Sequence, residues 1–454
     1  MINDTDTIIA PATAVSESGI AVIRISGKKA LLFLKEFFCP VTAIKEFKSH
    51  YLYLGHIVNN DQAVIDEVMA VYMAAPHSYT TESVTEIHCH GSSQVVRLIL
   101  ELANAFGIRL AQPGEFTYRA YLNGRIDLVQ AEAVSRLIQS TSELSRKSAL
   151  QQLDGRLSRE LHEYSTIIKG LLVHIEAWID FPEEDLPAEN LSQISSTAAG
   201  VHDRMSTLLA TYSSGQHVHE GATVALAGLP NAGKSSLMNA LLQQDRSIVS
   251  DVPGTTRDVI EQSTHISGIH VRLVDTAGLR YSDDFVEQEG VRRARSIVAA
   301  ADLVLLILDG SVPFSDQFLD LLSEFSGSKV VLVVNKSDLP TTPKNLNFFS
   351  GPVVSLSAKH GDGMGELLDV ISSFLVGDYL PSSESPYITE RRHYEALSAA
   401  AHHLGSFIDN IGCVDLDLLS IDMRATLDAL GQITGVVSTD DLLDDVFSSF
   451  CIGK

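Results

Sequence analysis

Five apolar runs separated by helix-length segments do most to limit the fold: TVALAGL, VRLVDTA, DLVLLILD, KVVLVVN and PVVSLSA, all between Thr223 and Ala358. Each has strand length and is largely apolar, as strands buried on both faces are. Such strands alternating with helices build an open, mostly parallel α/β sheet. The first run leads into Gly228-Leu-Pro-Asn231-Ala232-Gly233-Lys234-Ser235, which satisfies GxxxxGK[ST] between a strand and a helical run and, with Ser236, is expected to bind GTP. Glycines let backbone N–H groups curl around phosphates, and the helix N-terminus adds positive potential. In that setting Lys234 reaches the β/γ-phosphates and Ser235 ligates Mg2+.

Three further motifs follow in order, each at the C-terminal end of a strand, where open α/β sheets bind ligands. Asp275-Thr276-Ala277-Gly278 offers an aspartate for the magnesium shell and a glycine to meet the γ-phosphate. Asn335-Lys336-Ser337-Asp338 offers a carboxylate that accepts from guanine N1 and N2, a pairing adenine cannot make. Ser357-Ala358-Lys359 places a backbone N–H at Ala358 for guanine O6. The set predicts a GTP-binding module.

Between the first two motifs, Pro253-Gly254-Thr255-Thr256-Arg257-Asp258 stands where GTPases carry their first switch, and Ser250, Asp251 and Val252 lead into it. One threonine hydroxyl there completes the Mg2+ shell when the γ-phosphate is present. Leu279 replaces the glutamine with which Ras-type enzymes orient water, so hydrolysis needs another group. Glu287, in the acidic stretch SDDFVEQEG, is one candidate among several acids; the alternative is a solvated acidic loop.

Around this module the pattern changes. Residues 1–125 mix short strands (GIAVIRISG, YLYLGHIV, VMAVYMAA) with a helical stretch, QVVRLILELANAFG. Leu150, Leu153, Leu157, Leu161, Tyr164, Ile168, Leu171 and Ile175 recur at 3- and 4-residue spacing, which predicts one apolar helix face serving as core or dimer interface. SSGQHVHEG reads as a linker into the module, and VGDYLPSSESP as the linker out of it into a helical, acidic C-terminal segment. The expected division is 1–125, 126–215, 216–380 and 381–454, with the module inserted into a helical domain. From the residues alone, Arg24 with Glu86 reads as an ordinary strand-borne ion pair, and His88 with His90 as a packed or hydrogen-bonded pair sharing one strand face.

Lys+Arg 33 against Asp+Glu 57 gives a net charge of −24, which argues against a broad nucleic-acid or anionic-membrane surface. Residues 1–127 carry ten Lys/Arg and thirteen Asp/Glu, so no basic patch marks an RNA-binding domain there. The four cysteines are scattered without a CxxC pair, so neither a zinc ribbon nor a disulfide framework is indicated. No apolar run has the length of a membrane span, and the acidic N-terminus resembles no targeting peptide; a reducing cytoplasm is expected.

The flanks carry a specific resemblance over essentially the full length. DTIIAPAT with IRISG, then PGEFTYRAYLNGRIDLVQAEAV, then TGVVSTDDLLDDVFSSFCIGK are together similar to the tRNA-modification GTPase MnmE (TrmE) family. The resemblance implies a multidomain α/β and α+β fold: a folate-binding α+β N-terminal domain, a helical domain completed by the C-terminal segment, and an inserted P-loop GTPase α/β domain. It implies a homodimer that works with the flavoprotein MnmG, as a heterotetramer, on C5 of the wobble uridine of certain tRNAs. A 5,10-methylene- or 5-formyl-tetrahydrofolate would supply the one-carbon unit. Arg24, Glu86, Arg125 and Lys454 match the folate-contacting positions, although many relatives carry lysine at the position of Arg125. Asn231, Ser250, Val252 and Thr255 match the potassium (K+) ligands, Ser235 and Thr256 the magnesium ligands, and Glu287 the water-orienting glutamate. Cys451 matches the family's C-terminal cysteine. The rival expectation is a regulatory or ribosome-assembly GTPase switch, which would bind no folate and leave wobble nucleosides unchanged.

Overall fold

Side-chain alternation decides the first sheet. Along Ser18–Ser26, Ala21, Ile23 and Ile25 are buried, which a period of two requires of a strand with one face on a core. The computed structural model describes residues 6–14, 16–180, 188–243, 261–275, 300–313, 315–325, 329–340, 346, 349–377, 385–448, 450 and 453. The chain divides into two units. One comprises Met1–Ser135, Leu153–His162 and Leu427–Lys454; the other comprises Arg136–Gln152 and Glu163–Thr426.

The first unit holds β1 (Ile8–Pro11), β2 (Ser18–Ser26), β3 (Phe38–Pro40), β4 (Tyr51–Val58), β5 (Val64–Met73), β6 (Val84–Gly91) and β7 (Arg109–Leu110). They lie in the order β3-β4-β5-β6-β2-β1-β7, antiparallel throughout except where β1 meets β7. Helix Ser93–Ala105 buries Val96, Ile99, Leu102 and Ala103, one helical face, in the same core as Ile23, Ile25 and Ile87. Arg119 is 2% exposed and bonded to Asp6, Glu82 and Glu115, so its charge is compensated where water is excluded. A second core forms from residues far apart in sequence: Leu443, Phe447 and Phe450 pack with Leu128 and Ala131. Tyr118 meets the Phe447 ring edge-on at 5.1 Å, and the Tyr121 hydroxyl donates to the Gly435 carbonyl at 2.7 Å.

The second unit holds β8 (Ala222–Gly228), β9 (Glu261–Ile266), β10 (Ile269–Asp275), β11 (Leu303–Asp309), β12 (Val330–Asn335) and β13 (Val353–Ser355), in the order β13-β12-β11-β8-β10-β9. The five strands expected from sequence are mutually parallel, and β9 is an antiparallel edge. In β11, Leu303 to Leu308 are all buried, the burial that a central strand covered on both faces requires.

Two local expectations change. The leucine stripe is shared by two helices, Glu143–Leu153 and Arg156–Asp180, because Gly155 between them takes a left-handed φ of +75° and ends the first. Within the second helix, Leu157, Leu161, Tyr164, Ile168, Leu171 and Ile175 are all buried, so the periodicity holds there. The stretch read as a linker is the helix Tyr212–Glu220. Its buried side includes Ser214 and His217 rather than an apolar stripe, so hydrophobic periodicity gave no sign of it.

Candidate functional site

The described residues of the nucleotide motifs converge at the C-terminal edge of the second sheet. β8 ends at Gly228, and helix Lys234–Gln243 starts after a loop of five residues. Asn231 in the intervening loop is left-handed, with φ +64°. Lys234 is 9% exposed, and its ammonium donates to the Gly228 and Leu229 carbonyls at 2.9 and 3.1 Å. Burial pulls its pKa down, against the opposing pull of the Asp275 carboxylate. At the end of β10, Asp275 Oδ2 accepts from the Ser235 hydroxyl at 3.3 Å. Two oxygen donors are thereby brought to the mouth of the phosphate loop.

Asn335, at the end of β12 and 2% exposed, ties three motifs together. Its Nδ2 donates to the Ala232 carbonyl at 2.9 Å, and its Oδ1 accepts from the N–H groups of Lys336 and Ala358 at 2.8 and 3.0 Å. Gly233 shows how tight the junction is: at φ +97° a Cβ there would collide with Asn335 Nδ2. The Ala358 N–H expected to meet guanine O6 is therefore engaged by Asn335. Asp338 Oδ1 accepts from the Ser357 hydroxyl at 2.6 Å, and that bond is the main reason its carboxyl lies below the usual range. Ser236, Ser337 and Lys359 stand on the same loops and helix start. Ser250, Asp251, Val252, Pro253, Gly254, Thr255, Thr256, Thr276, Ala277, Gly278, Glu287, Cys451 and Lys454 lie outside the described residues.

In the first unit, Arg24 on β2 and Glu86 on β6 are register partners, and the guanidinium is 2.8 Å from the carboxylate. His88 Nε2, 3.6 Å from Glu86 Oε2, and Arg24 together hold the Glu86 carboxyl low despite its burial. His90 takes a separate partner, Asp66, at 2.8 Å, so the two histidines do not act as a pair. Among the described residues no group of three or more His, Cys, Asp or Glu could hold a metal ion. Arg125 donates to the Ser78 carbonyl at 2.9 Å and lies over the Tyr79 ring, 5.0 Å from its centroid. Arg24 lies 5.6 Å from the same centroid and 5.7 Å from that of Phe116. Tyr79 thus gathers Arg24 and Arg125 on one ring; its own hydroxyl bonds Thr117 at 3.0 Å. Neither aromatic was singled out from the sequence, because HSYTTES and GEFTYR carry no signal beyond turn and helix start.

A family model described as the TrmE N-terminus matches residues 7–125, and one described as the MnmE helical domain matches residues 128–451. A curated relative, the tRNA modification GTPase MnmE of Syntrophotalea carbinolica, is 45% identical over 457 residues, covering 100% of both chains. The chain belongs to the MnmE family. MnmE proteins of a Thermoanaerobacter species and of Heliobacterium modesticaldum are 41% and 42% identical, each match covering 99% of both chains. Membership spans both units, so the arginine–tyrosine cluster and the nucleotide loops belong to one MnmE-type chain. No helix among the described residues is long and apolar enough to cross a membrane.

Proposed function

We propose that this chain hydrolyses GTP in the course of tRNA modification, as its family membership and nucleotide loops together support. The observation that carries the guanine reading is the Asn335 tie. One buried amide holds the phosphate loop at Ala232 and the base-side loop at Ala358, while Ser357 fixes Asp338 beside them. Lys234 binds the β/γ-phosphates, and Asp338 selects guanine by accepting from N1 and N2.

The finer parts of the reading rest on residue types at matching positions. Ser235 and Asp275 are hard oxygen donors that suit Mg2+, with Thr256 as the further ligand. Asn231, exposed on the left-handed turn, suits K+ together with Ser250, Val252 and Thr255. Glu287 orients the attacking water. Arg24, Arg125 and Lys454 suit the glutamyl carboxylates of a tetrahydrofolate, and Glu86 suits its pterin N–H donors. When bound, the folate supplies a one-carbon unit; the protein residues bind and orient it. The reading includes a cytoplasmic homodimer acting with MnmG on C5 of the wobble uridine. Because the chain is acidic, MnmG supplies much of the tRNA-binding surface.

Asp338→Asn tests the core of the proposal. The substitution turns an acceptor pair into an amide whose N–H2 faces the guanine donors, and loss of a charged hydrogen bond costs ~1.5–3 kcal/mol. Titration with GTP and xanthosine triphosphate is expected to show GTP affinity lower by at least about tenfold and xanthosine triphosphate affinity higher. Unchanged GTP affinity would remove Asp338 from the base site.

A further inference from the structure

Lys336 adopts φ +67°, a left-handed conformation that residues with a side chain take rarely. Its surroundings hold it there. The backbone N–H donates to Asn335 Oδ1 at 2.8 Å, and the carbonyl accepts from Leu339 N–H at 3.0 Å. The ammonium lies 2.6 Å from Asp309 Oδ2. Asp309 is the last residue of β11, in register with Asn335 on β12, so the strand pairing itself puts the carboxylate beside the turn. The other carboxylate oxygen is anchored too: Oδ1 accepts from the Ser311 N–H at 2.9 Å and from the Ser311 hydroxyl at 2.6 Å. The Asp309 side chain is 14% exposed and that of Lys336 31%, so this ion pair is shielded more than a surface pair. The turn pinned in this way, 336–339, is the one that carries Asp338.

We propose that Asp309 is a positioning residue for guanine selection: its ion pair with Lys336 holds the left-handed turn that delivers Asp338 to the base. Asp309 belongs to none of the four nucleotide motifs. The inference rests on the guanine reading above and extends it by one step, from the residue that touches the base to the residue that sets its place. A carboxylate suits the task because it accepts from Ser311 with one oxygen and from Lys336 with the other. An alanine leaves both donors without this partner and frees the turn to leave the left-handed region.

The test is nucleotide titration of the full-length chain with GTP, inosine triphosphate and ATP. Inosine lacks the guanine N2 donor, so the GTP-to-inosine ratio reads the Asp338 contact itself, whereas general loosening of phosphate binding would leave the ratio alone. Asp309→Ala is expected to narrow that ratio by about fivefold or more. Asp309→Asn, which keeps the shape and one acceptor, is expected to fall between wild type and Asp309→Ala. Adding Asp309→Ala to Lys336→Met is expected to change the ratio by less than about twofold further, since both changes remove one interaction. An Asp309→Ala ratio equal to wild type, or multiplicative effects in the double variant, would overturn the inference. Wild type and Asp338→Asn serve as separate controls. A wild type that does not prefer GTP to ATP would defeat the guanine reading, whereas a selective wild type with an indifferent Asp309→Ala would defeat only the role of Asp309.

Discussion

Asn335 and Tyr79 hold their neighbourhoods together in different ways. Asn335 does so with directional bonds: one donor and one doubly used acceptor reach three loops, and burial makes each bond costly to leave unmade. Its place was legible in the sequence, since NKSD follows an apolar strand; its role as the tie was not, because Ala232 and Ala358 lie far from it along the chain. Tyr79 works through a ring face under two guanidinium groups, an attraction that needs no sequence motif at all. Arg24 and Glu86 illustrate the limit of motif reading. Both the ion-pair expectation and the ligand expectation point to the same two side chains, and the observed 2.8 Å pair fits a structural role as well as a binding one. The binding role has a direct check. Calorimetry with 5-formyltetrahydrofolate is expected to show Arg125→Ala binding ~10–100-fold weaker than wild type, the effect of losing one charge-assisted bond. Wild-type binding by both Arg24→Ala and Arg125→Ala would place the folate site elsewhere.

Among the elements, those built on continuous apolar runs were legible, and those built on polar burial were not. β11, β12 and β13 lie within apolar runs read from the sequence, and β8 and β10 overlap such runs. β9, Glu261–Ile266, has only one aliphatic residue and owes its strand conformation to pairing with β10. Helix Tyr212–Glu220 depends on His217, whose Nδ1 is 2.7 Å from the Leu375 carbonyl and whose Nε2 is 3.1 Å from Asp302 Oδ1. Both ring nitrogens face acceptors, so the doubly protonated imidazolium satisfies the site. Burial opposes that charge, but the Asp302 and Leu375 bonds outweigh it and raise the His217 pKa above 6.5. Asp302 Oδ2 also accepts from the Thr223 N–H at 2.8 Å, which links the helix to the start of β8. A raised folded-state pKa means that this stability is fully present below the unfolded value and is lost as pH rises through the folded one. Thermal unfolding from pH 6 upward is expected to show a falling midpoint above pH 6.5 in wild type. His217→Gln, which cannot titrate, is expected to flatten that slope and to unfold earlier at pH 6, by ~1.5–3 kcal/mol for the charged bond. Parallel pH profiles would assign the slope to another group.

At the scale of the whole molecule, the proposed reading has hydrolysis depend on two copies rather than one. Leu279 cannot polarise water, and transition-state charge near the β/γ bridge still needs a cation. The family resemblance assigns potassium to that place when two GTPase modules pair. Phosphate release in potassium is therefore expected to exceed that in sodium by about tenfold or more, because sodium is too small for the same ring of oxygens. Glu287→Ala is expected to bind GTP within about threefold of wild type, under ~0.7 kcal/mol, while turnover falls by orders of magnitude. Equal rates in the two salts, or an active Glu287→Ala chain, would point to a residue donated by a partner. The acidic composition argues against a broad nucleic-acid surface on this chain. The inserted arrangement anticipates a discontinuous helical domain, in which the C-terminal segment returns to the chain after residue 126, but nothing local marks Leu128 as the partner of Phe447.

That discontinuity has a consequence for the chain while it is being made. Leu128 and Ala131 leave the ribosome long before Leu443, Phe447 and Phe450, the residues that share their core. At ~5–20 residues per second the wait for the roughly 300 intervening residues is about 15–60 s, far longer than a helix needs to form. Throughout that interval the apolar side of helix Leu128–Gln139 has no cover from its native partner, while the intervening nucleotide-binding sheet can already assemble. The first unit begins first and closes last, so its nascent form offers apolar surface to chaperones throughout that interval.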